Sequence, residues 1–375
     1  MNKYFENNKD YLEELNVAFK NHGLPQVDFI PLAIDDGYSQ NNIAYWIVKD
    51  GELSIGENKI MSRGKRGRHL QQFGGGDVAI YQTDNDEYTV SNNLGDPEDT
   101  RSADYSKTPL NRFLVHASMN ELGLKDGIEV GLITGLPIGQ YQRKIEGVNK
   151  KLIQAKTKNM MVPVTFGTKR NQSAKVVYHT VLPEAICGLV DWMIGIDGKP
   201  LQDPNVTRMV IDIGGKTTDM AVVMPGNEVA EVSTVDFGTT HIKDRLKILL
   251  EDKLECAVDS IILDEALANK EVNLFGEGMI DVSGEWDIAV DHVLTEIFHA
   301  ADNFRKKHPS LKEVIGLGGG MALCEKNVQE KYKTIKVVPN PDGANARGAL
   351  KFATFGLLED IMAEMKSPKA EQING

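Results

Sequence analysis

A short segment near the middle of the chain combines two carboxylates with adjacent glycines and reads Asp212-Ile-Gly-Gly-Lys-Thr-Thr-Asp219. Adjacent glycines let the backbone turn sharply, and the N–H groups of such a turn can bind phosphate oxygens. The predicted donors are Gly214, Gly215, Lys216 and Thr217. Because a carboxylate repels phosphate, Asp212 predicts a bridging Mg²⁺ or an oriented water. An ordinary Gly-Gly hairpin between two core strands would read the same way, so both interpretations stay open.

The same combination occurs near the start of the chain, within residues 29–46. An apolar strand leads into an acidic turn, and a second strand begins near Ile43. The turn itself reads Asp35-Asp36-Gly37-Tyr38-Ser39. One such hairpin would mean little, because Asp-Gly is ordinary turn chemistry. Two of them, far apart in the chain, indicate two similar domain cores that face each other.

Two further turns offer backbone donors. Gly238 and Thr239 lie just before a helix predicted over 242–254, and a helix N-terminus binds anions. Residues 314–323 predict a buried strand, a run of three glycines and a helix, the glycines being Gly318, Gly319 and Gly320. Three glycines permit close approach of a flat or phosphorylated ligand, although a lone glycine-rich turn is a weak signal.

Glu184 is a further candidate, in the segment Val-Leu-Pro-Glu that ends at this residue. Pro183 is typical of the first turn of a helix, so we expect Glu184 at a helix start. A carboxylate there is favoured by the helix dipole, and simple capping is the alternative role. The position of Glu184, shortly before the Asp212 turn, makes it a candidate for chemistry.

Short apolar or β-branched runs must hold these groups in place. Residues 210–211 and 220–223 predict the buried strands on either side of the Asp212 turn. Residues 1–26 predict a leader with a short amphipathic helix, which packs on its own domain or docks a partner. Residues 47–105 predict a small β-rich insertion, and the lysine-rich segment 151–158 predicts an exposed helix.

A compact basic loop lies inside the predicted insertion. Its cationic side chains are Arg63, Lys65, Arg66 and Arg68, within residues 63–69. Such a cluster predicts a contact with an anion or a partner, or else a solvated loop. It lacks the interleaved aromatic residue that is typical of single-stranded nucleic-acid binding.

Composition narrows the class of protein. The chain has 375 residues, 41% hydrophobic and 26% charged, which predicts a soluble globular protein of two domains. The net charge of −12 argues against broad nucleic-acid binding, and no apolar run is long enough to span a bilayer. Three widely spaced cysteines and the absence of an apolar N-terminal region predict a cytoplasmic protein without disulfides or zinc.

Taken in chain order, these segments resemble the actin-like ATPase superfamily and, within it, the ParM/StbA family of plasmid-segregation proteins. The resemblance runs from about Phe29 to about Phe355. It is carried by Asp35-Asp36-Gly37, Leu-Pro-Glu184, Asp212-Ile-Gly-Gly, Gly318-Gly-Gly-Met-Ala322 and the segment Ala-Asn-Ala-Arg-Gly at 344–348. The resemblance implies an α/β, actin-like ATPase fold, in which two similar domains with ribonuclease H-like cores flank a nucleotide cleft.

The resemblance also implies domain bounds. The first domain would be 27–205, which includes the β-rich insertion and receives the C-terminal helix 345–366. The second domain would be 206–344. The leader 1–26 precedes them, and a polar tail, 367–375, follows.

A concrete mechanism follows from the resemblance. ATP, or alternatively GTP, would bind with Mg²⁺ held through water by Asp35 and Asp212. The first phosphate loop would comprise Asp35, Asp36, Gly37, Tyr38 and Ser39. Glu184 and Asp212 would be the catalytic residues, with Glu184 orienting the attacking water. The adenosine loop would comprise Gly318, Gly319, Gly320 and Met321. Lys216 stands where related sequences carry a small or hydroxyl residue, so a phosphate contact and a solvent-facing role both stay open.

The implied partners are further copies of the chain in a filament and a DNA-bound adaptor protein, with no membrane. The alternatives are a small-molecule kinase of the same fold and another bacterial or phage cytoskeletal actin. A kinase requires an acceptor base, and no dedicated aspartate is evident for it. A heat-shock-type chaperone would have a separate substrate domain after residue 366, and a membrane-attached actin would have an apolar terminal anchor.

Overall fold

A computed structural model describes residues 5, 8–69, 79–92, 94–143 and 147–366. The chain forms two compact units. The first comprises Met1–Pro204 and Gly343–Gly375, and the second comprises Asn205–Asp342. The predicted tail, 367–375, and the first residues of the predicted leader lie outside the described residues.

The first unit has one helix, then six strands, then a mixture of helices and strands. Its elements up to the second unit are α1 (Asn8–Asn21), β1 (Ile30–Asp36), β2 (Gln40–Lys49), β3 (Glu52–Met61), β4 (Gly64–Arg66), β5 (Ala79–Gln82), β6 (Glu87–Val90), α2 (Pro109–Glu121), β7 (Glu129–Leu136), α3 (Ile138–Tyr141), β8 (Gln142–Arg143), β9 (Gly147–Val148), α4 (Lys150–Met160), β10 (Thr165–Phe166), β11 (Asn171–Gln172), β12 (Lys175–Pro183) and α5 (Ile186–Met193).

The second unit is built from one contiguous stretch, after which the chain returns to the first. Its elements are β13 (Arg208–Ile213), β14 (Thr218–Met224), β15 (Glu228–Val235), α6 (Thr239–Leu254), α7 (Ser260–Asn269), β16 (Glu271–Asn273), β17 (Met279–Asp281), α8 (Ser283–Arg305), β18 (Glu313–Leu317), α9 (Gly319–Lys331) and β19 (Ile335–Val337). The returning helices are α10 (Ala344–Phe352) and α11 (Leu358–Met365), joined by a π-helical turn over Ala353–Leu357.

Each unit contains a five-stranded sheet of the same topology. In the first unit the order is β12-β7-β1-β2-β3, and in the second it is β19-β18-β13-β14-β15. In both, the central strand pairs antiparallel with the strand that follows it and parallel with a later strand. The fold prediction of two similar α/β domains is therefore confirmed, and the topology repeats within the chain.

The central strands are buried because helices cover the sheets. All six residues of β13 and six of the seven in β1 are buried, as expected for strands in the middle of a covered sheet. In the first unit α10 packs on β1, β2 and β7. In the second unit α8 buries one face, including Trp286, Val290, Val293 and Ile297.

The predicted amphipathic helix near the N-terminus is present and packs on its own unit. Helix α1 buries Tyr11, Leu15, Ala18 and Phe19, which recur on one helical face. The Tyr11 hydroxyl donates to the carbonyl of Trp46 in β2 at 2.8 Å. The apolar face of α1 therefore packs on its own unit, which is the first of the two roles predicted for this helix.

The β-rich region differs from the predicted insertion over 47–105. Strand β3 belongs to the main sheet, because it pairs with β2 along its whole length. The smaller sheet instead has the order β11-β10-β5-β6-β4 and takes β10 and β11 from residues 165–172. Long-range pairing decides both assignments, and residue patterns along the chain do not report it.

Among the described residues, no helix is long and apolar enough to cross a membrane.

Candidate functional site

The tip of the β1–β2 hairpin holds its carbonyl groups toward the protein. Ser62 Oγ donates to the Gly37 carbonyl at 2.8 Å, and its N–H donates to the Ser39 carbonyl at 3.0 Å. Thr100 Oγ1 donates to the Tyr38 carbonyl at 2.5 Å. In a trans peptide the N–H points opposite to the C=O. The N–H groups that follow these carbonyls therefore point away from the supporting side chains, as a phosphate-binding turn requires.

Asp35 and Asp36 occupy opposite faces of β1, because successive strand residues alternate. The Asp36 carboxylate is buried and lies 2.7 Å from the ammonium of Lys156 in α4. Asn111 Nδ2 also donates to Asp36, at 2.8 Å. Asp36, predicted as a ligand contact, is thus committed to an internal ion pair in this structure. Asp35 is partly exposed beside the hairpin tip.

Lys156 corrects the prediction of an exposed helix over 151–158. Its side chain is 2% exposed and, besides Asp36, it donates to the carbonyl of Gly135 at the end of β7. Burial, together with the Lys156 ammonium, lowers the pKa of the nearby His179 to about 3. A buried ammonium is tolerated because it is paired and hydrogen-bonded. It ties α4 to the ends of β1 and β7.

The β13–β14 hairpin is supported in the same way as the first. The carbonyls of Gly214 and Gly215 accept the N–H groups of Thr239 at 3.0 Å and Thr240 at 2.8 Å. By the same peptide geometry, the N–H groups of Gly215 and Lys216 point away from α6. The N–H of Gly214 is engaged within the turn, because it donates to the Thr217 carbonyl at 2.9 Å.

Gly238 and Thr239 therefore have a different role from the predicted one. The Thr239 N–H supports the hairpin, and the Gly238 N–H donates to His241 Nδ1 at 3.1 Å. A Cβ on Gly238 would lie 2.6 Å from the carbonyl oxygens of both Gly214 and Gly215. These two residues seat the turn from behind, and their N–H groups are not offered to a ligand in this structure.

The glycine-rich turn after β18 packs closely on the end of β13. A Cβ on Gly318 would lie 2.2 Å from Asp212 Oδ1, and one on Gly320 would lie 2.2 Å from the Ile213 side chain. Gly318 also has a φ of +93°, which favours glycine. The turn thus brings Gly318 against the carboxylate of Asp212, a buried residue. Gly319 follows at the start of α9.

Met321, predicted in the adenosine loop, has its side chain in the core of the second unit. It is fully buried among apolar residues that include Cys324 and Val328. Lys216 lies at the hairpin tip with 24% of its side chain exposed and its ammonium 4.0 Å from the Asp236 carboxylate. At that distance the ion pair is loose.

Glu184 lies in a tight turn between β12 and α5. The prediction of a helix start at Pro183 is wrong, because Pro183 is the last residue of β12 and the helix begins at Ile186. The Glu184 N–H donates to the Leu136 carbonyl at 2.9 Å, and its side chain lies against Gly135. Glu184 is therefore at the carboxyl end of the parallel strands, the edge where Asp35 also lies.

Each unit thus brings its predicted acidic group to the same edge of its sheet. Asp35 is the penultimate residue of β1, and Asp212 is the penultimate residue of β13. Ligands of open α/β sheets bind outside the carboxyl ends of the strands. No group of three or more potential metal ligands occurs among the described residues. A single carboxylate at the edge of a sheet is the kind of ligand that Mg²⁺ uses, since this ion keeps several waters and binds through one or two carboxylates.

Two family models match the chain. The model described as plasmid segregation protein ParM, N-terminal, matches residues 30–191. The model described as archaeal actin homologue MreB-like, C-terminal, matches residues 210–330. The chain thus resembles ParM over residues 30–191 and an MreB-like actin homologue over residues 210–330, and its fold is actin-like. No curated protein matches it by sequence.

Solved structures of other actin-like proteins have the same fold. Ta0583, an archaeal actin homologue, superposes with a TM-score of 0.67 at 16% identity, over 87% of this chain and 99% of that one. It has also been solved in complex with ADP, with a TM-score of 0.66 at 15% identity and the same coverage.

Two ParM structures resemble this actin-like chain as well. A 15-stranded ParM filament from Clostridium botulinum gives a TM-score of 0.65 at 19% identity, over 87% of this chain and 99% of that one. ParM from Bacillus thuringiensis with AMPPNP gives 0.62 at 14% identity, over 89% and 100% of the two chains. At these identities the likeness establishes the fold.

Sequence reasoning missed the residues that hold the turns. Ser62, Thr100 and Thr240 carry no motif. Ser62 and Thr100 bond a distant carbonyl through the hydroxyl and Thr240 through its backbone N–H, and such bonds are recognised only in the folded chain. Lys156 lies among several lysines, so the sequence alone does not show that it differs from its exposed neighbours. Residues 344–348 carry part of the resemblance to the ParM/StbA family, but the sequence does not predict their contacts with α5.

Proposed function

We propose that this actin-like chain is a nucleotide-dependent, filament-forming ATPase that segregates plasmid DNA. The observation that carries the proposal is the repeated arrangement in the two units. In each, an acidic residue is penultimate in the central strand, and the following hairpin tip has its carbonyls held from behind. A tip of this kind suits phosphate oxygens, which its outward N–H groups would bind.

The proposed nucleotide contacts are the two hairpin tips and the glycine-rich turn after β18. The N–H groups that follow the held carbonyls, in the tips of the two hairpins, would bind the β- and γ-phosphates. Asp35 and Asp212 would hold Mg²⁺ through waters, and the bound ion would neutralise charge on the phosphate oxygens. Gly319 and Gly320, at the start of α9, would approach the nucleoside. The relatives solved with ADP and AMPPNP support an adenine nucleotide, with GTP as the alternative.

Glu184 would orient the attacking water and accept its proton. The water oxygen forms a bond to the γ-phosphorus, while the bond from that phosphorus to the β–γ bridging oxygen breaks. ADP leaves with the bridging oxygen, and the proton of the water passes to the Glu184 carboxylate. Positioning and electrostatics supply most of the catalysis of phosphoryl transfer, so one well-held carboxylate suffices.

Assembly would be switched by the nucleotide. A ligand can shift assembly only through different affinities for the assembling and non-assembling states. A head-to-tail contact that does not close into a ring generates a filament. The similar ParM from Clostridium botulinum forms a filament. Hydrolysis would then weaken the contact, and a DNA-bound adaptor protein would couple the filament to its plasmid cargo in the cytoplasm.

The test is assembly and turnover measured on the same samples. Light scattering is expected to rise above a critical protein concentration on addition of MgATP and to decay as ATP is consumed. Glu184→Ala is expected to bind nucleotide, to slow phosphate release by about 10²- to 10⁴-fold and to form longer-lived filaments. Asp212→Ala is expected to be at least as damaging. The control is Glu129→Ala, which removes an exposed carboxylate from the opposite end of the same sheet.

Electron microscopy separates filaments from amorphous aggregate. A protein that stays monomeric at high concentration with MgATP and with a non-hydrolysable analogue contradicts the filament proposal. Phosphate transfer to a small molecule in that case would identify a kinase of the same fold. Plasmid segregation is tested separately, by the rate at which dividing cells lose a test plasmid when the chain carries Glu184→Ala.

A further inference from the structure

The turn that carries Glu184 is held by a side chain from α10. Asn345 Oδ1 accepts two backbone hydrogen bonds, from the Ala185 N–H at 3.0 Å and from the Gly188 N–H at 3.1 Å. Gly188 is the third residue of α5, so its N–H lacks an intrahelical partner. Ala185 stands at the N-cap position and has no side-chain oxygen. Asn345 therefore caps α5 from a different helix, with the amide oxygen that N-caps ordinarily provide.

The turn itself is conformationally costly. Ala185 has φ of 64° and ψ of −48°, and the Ile186 N–H donates to the Glu184 carbonyl at 2.7 Å. This is a γ-turn with positive φ, a rare and strained conformation for a residue that has a Cβ. Such a conformation persists only where its surroundings impose it. The two bonds to Asn345 are contacts of that kind.

Helix α10 is itself fixed, so it can serve as an anchor. Arg347 donates to Asp191 Oδ2 through Nε at 2.9 Å and through Nη2 at 2.7 Å. Lys351 donates to the Ile194 carbonyl at 2.8 Å. Gly348 lies so close to α5 that a Cβ there would be 1.7 Å from the Cys187 carbonyl oxygen. Asn345 is therefore presented to the turn by a rigidly packed helix.

We propose that Asn345 is the positioning residue for Glu184. It holds the strained turn that aims the carboxylate, and it acts on hydrolysis only through that carboxylate. The Glu184 backbone is tied to β7 on one side through Leu136 and to the Asn345 cap on the other. This inference rests on the proposed function, because Glu184 must be the group that orients water.

The test compares Asn345→Ala with Asn345→Asp. Asn345→Ala is expected to lower kcat by about 10- to 100-fold, because a displacement near 1 Å costs that much, while nucleotide affinity is unchanged. Hydrogen exchange at residues 184–190 is expected to accelerate. Asn345→Asp should restore most of the kcat and most of the protection from hydrogen exchange. Its carboxylate oxygen accepts the same two N–H groups, and a negative charge is favoured at a helix N-terminus. The control, Thr354→Val, removes a buried hydrogen bond to Trp46 in the same C-terminal segment and should leave kcat unchanged.

A double-mutant cycle decides whether Asn345 acts through Glu184. In a Glu184→Gln background, Asn345→Ala should cause no further loss of turnover. Independent, additive losses would overturn the proposal, as would unchanged kcat in Asn345→Ala or an equal loss of nucleotide affinity. A wild-type chain that releases no phosphate would refute the proposed function itself, and the positioning role with it. Unchanged hydrogen exchange at residues 184–190 in Asn345→Ala would refute only the capping of α5 by Asn345.

Discussion

Gly135 of β7 lies directly against the side chain of Glu184. A Cβ built on Gly135 would be 2.6 Å from Glu184 Oε1 and 2.8 Å from its Cγ. These distances are too short for real contacts, so the absence of a side chain at Gly135 is what leaves room for the carboxylate. The carboxylate is the flexible partner, and it would move first.

Gly135→Ala is therefore expected to displace Glu184 and slow hydrolysis by about tenfold or more, with nucleotide affinity retained. The measurement is phosphate release at saturating MgATP together with a nucleotide titration. Gly131→Ala is the matched control on the same strand, because its Cβ would meet the Phe29 ring at 2.4 Å, away from Glu184. Equal effects of the two substitutions on kcat would mean that β7 repacking, and not Glu184, controls the rate.

Lys156→Met should strongly destabilise the first unit. It leaves the Asp36 carboxylate buried without its cation, which typically costs about 3–5 kcal/mol. Removing both charges, in Asp36→Asn with Lys156→Met, should recover much of the loss, because no uncompensated charge remains. Urea unfolding of the two variants measures the difference. A double variant as unstable as the single one would show that the Lys156 ammonium contributes mainly through its bond to the Gly135 carbonyl.

If the Lys216 ammonium contacts phosphate, Lys216→Ala is expected to weaken triphosphate affinity by about tenfold, as for the loss of a charge-assisted hydrogen bond. The loss should shrink at high salt, because Lys216 is partly exposed. Titration of a fluorescent nucleotide at two salt concentrations measures this loss, with Asp236→Asn as the control that removes the carboxylate charge near Lys216. An unchanged dissociation constant would assign Lys216 to its surface ion pair with Asp236.

The first unit should lose stability as the pH falls below the ordinary pKa of histidine, about 6.5. Burial lowers the pKa of both His116 and His179 to about 3 in the folded chain. The unfolded chain therefore takes up protons that the folded chain refuses, and the free energy of unfolding falls between these two values as the pH drops. His179→Gln should flatten part of this dependence, measured as urea midpoints over the pH range. An unaltered slope would contradict the assignment to His179.

Gly348→Ala and Gly284→Ala should have opposite effects. A Cβ on Gly348 meets the Cys187 backbone, which cannot move aside, and we expect a loss of about 3 kcal/mol or more. A Cβ on Gly284 in α8 meets nothing within 4 Å, and we expect a gain of about 0.5–1 kcal/mol. Thermal or urea unfolding checks both. A neutral Gly348→Ala would mean that α5 and α10 can separate at little cost.

The sequence was informative where structure is local. Apolar runs on either side of a glycine-containing acidic turn predicted both hairpins, since strand burial and turn chemistry depend on neighbouring residues. It failed where distant segments decide the outcome. Lys156 is buried by Asp36, which is far away in the chain, and β3 joins the main sheet by pairing with β2. Gly238 and Thr239 resembled an anion site, but their N–H groups are used by the fold.

The return of the chain to the first unit has a consequence for synthesis on the ribosome. Helix α10 contributes Ala346, Ala349 and Leu350 to the core formed with β1, β2 and β7. These residues are translated after the whole of the second unit, Asn205–Asp342. The nascent second unit can therefore fold first, while the apolar faces of β1, β2 and β7 stay uncovered until α10 has been synthesised. During that interval the exposed strands are the part of the nascent chain most prone to aggregation and most in need of a chaperone.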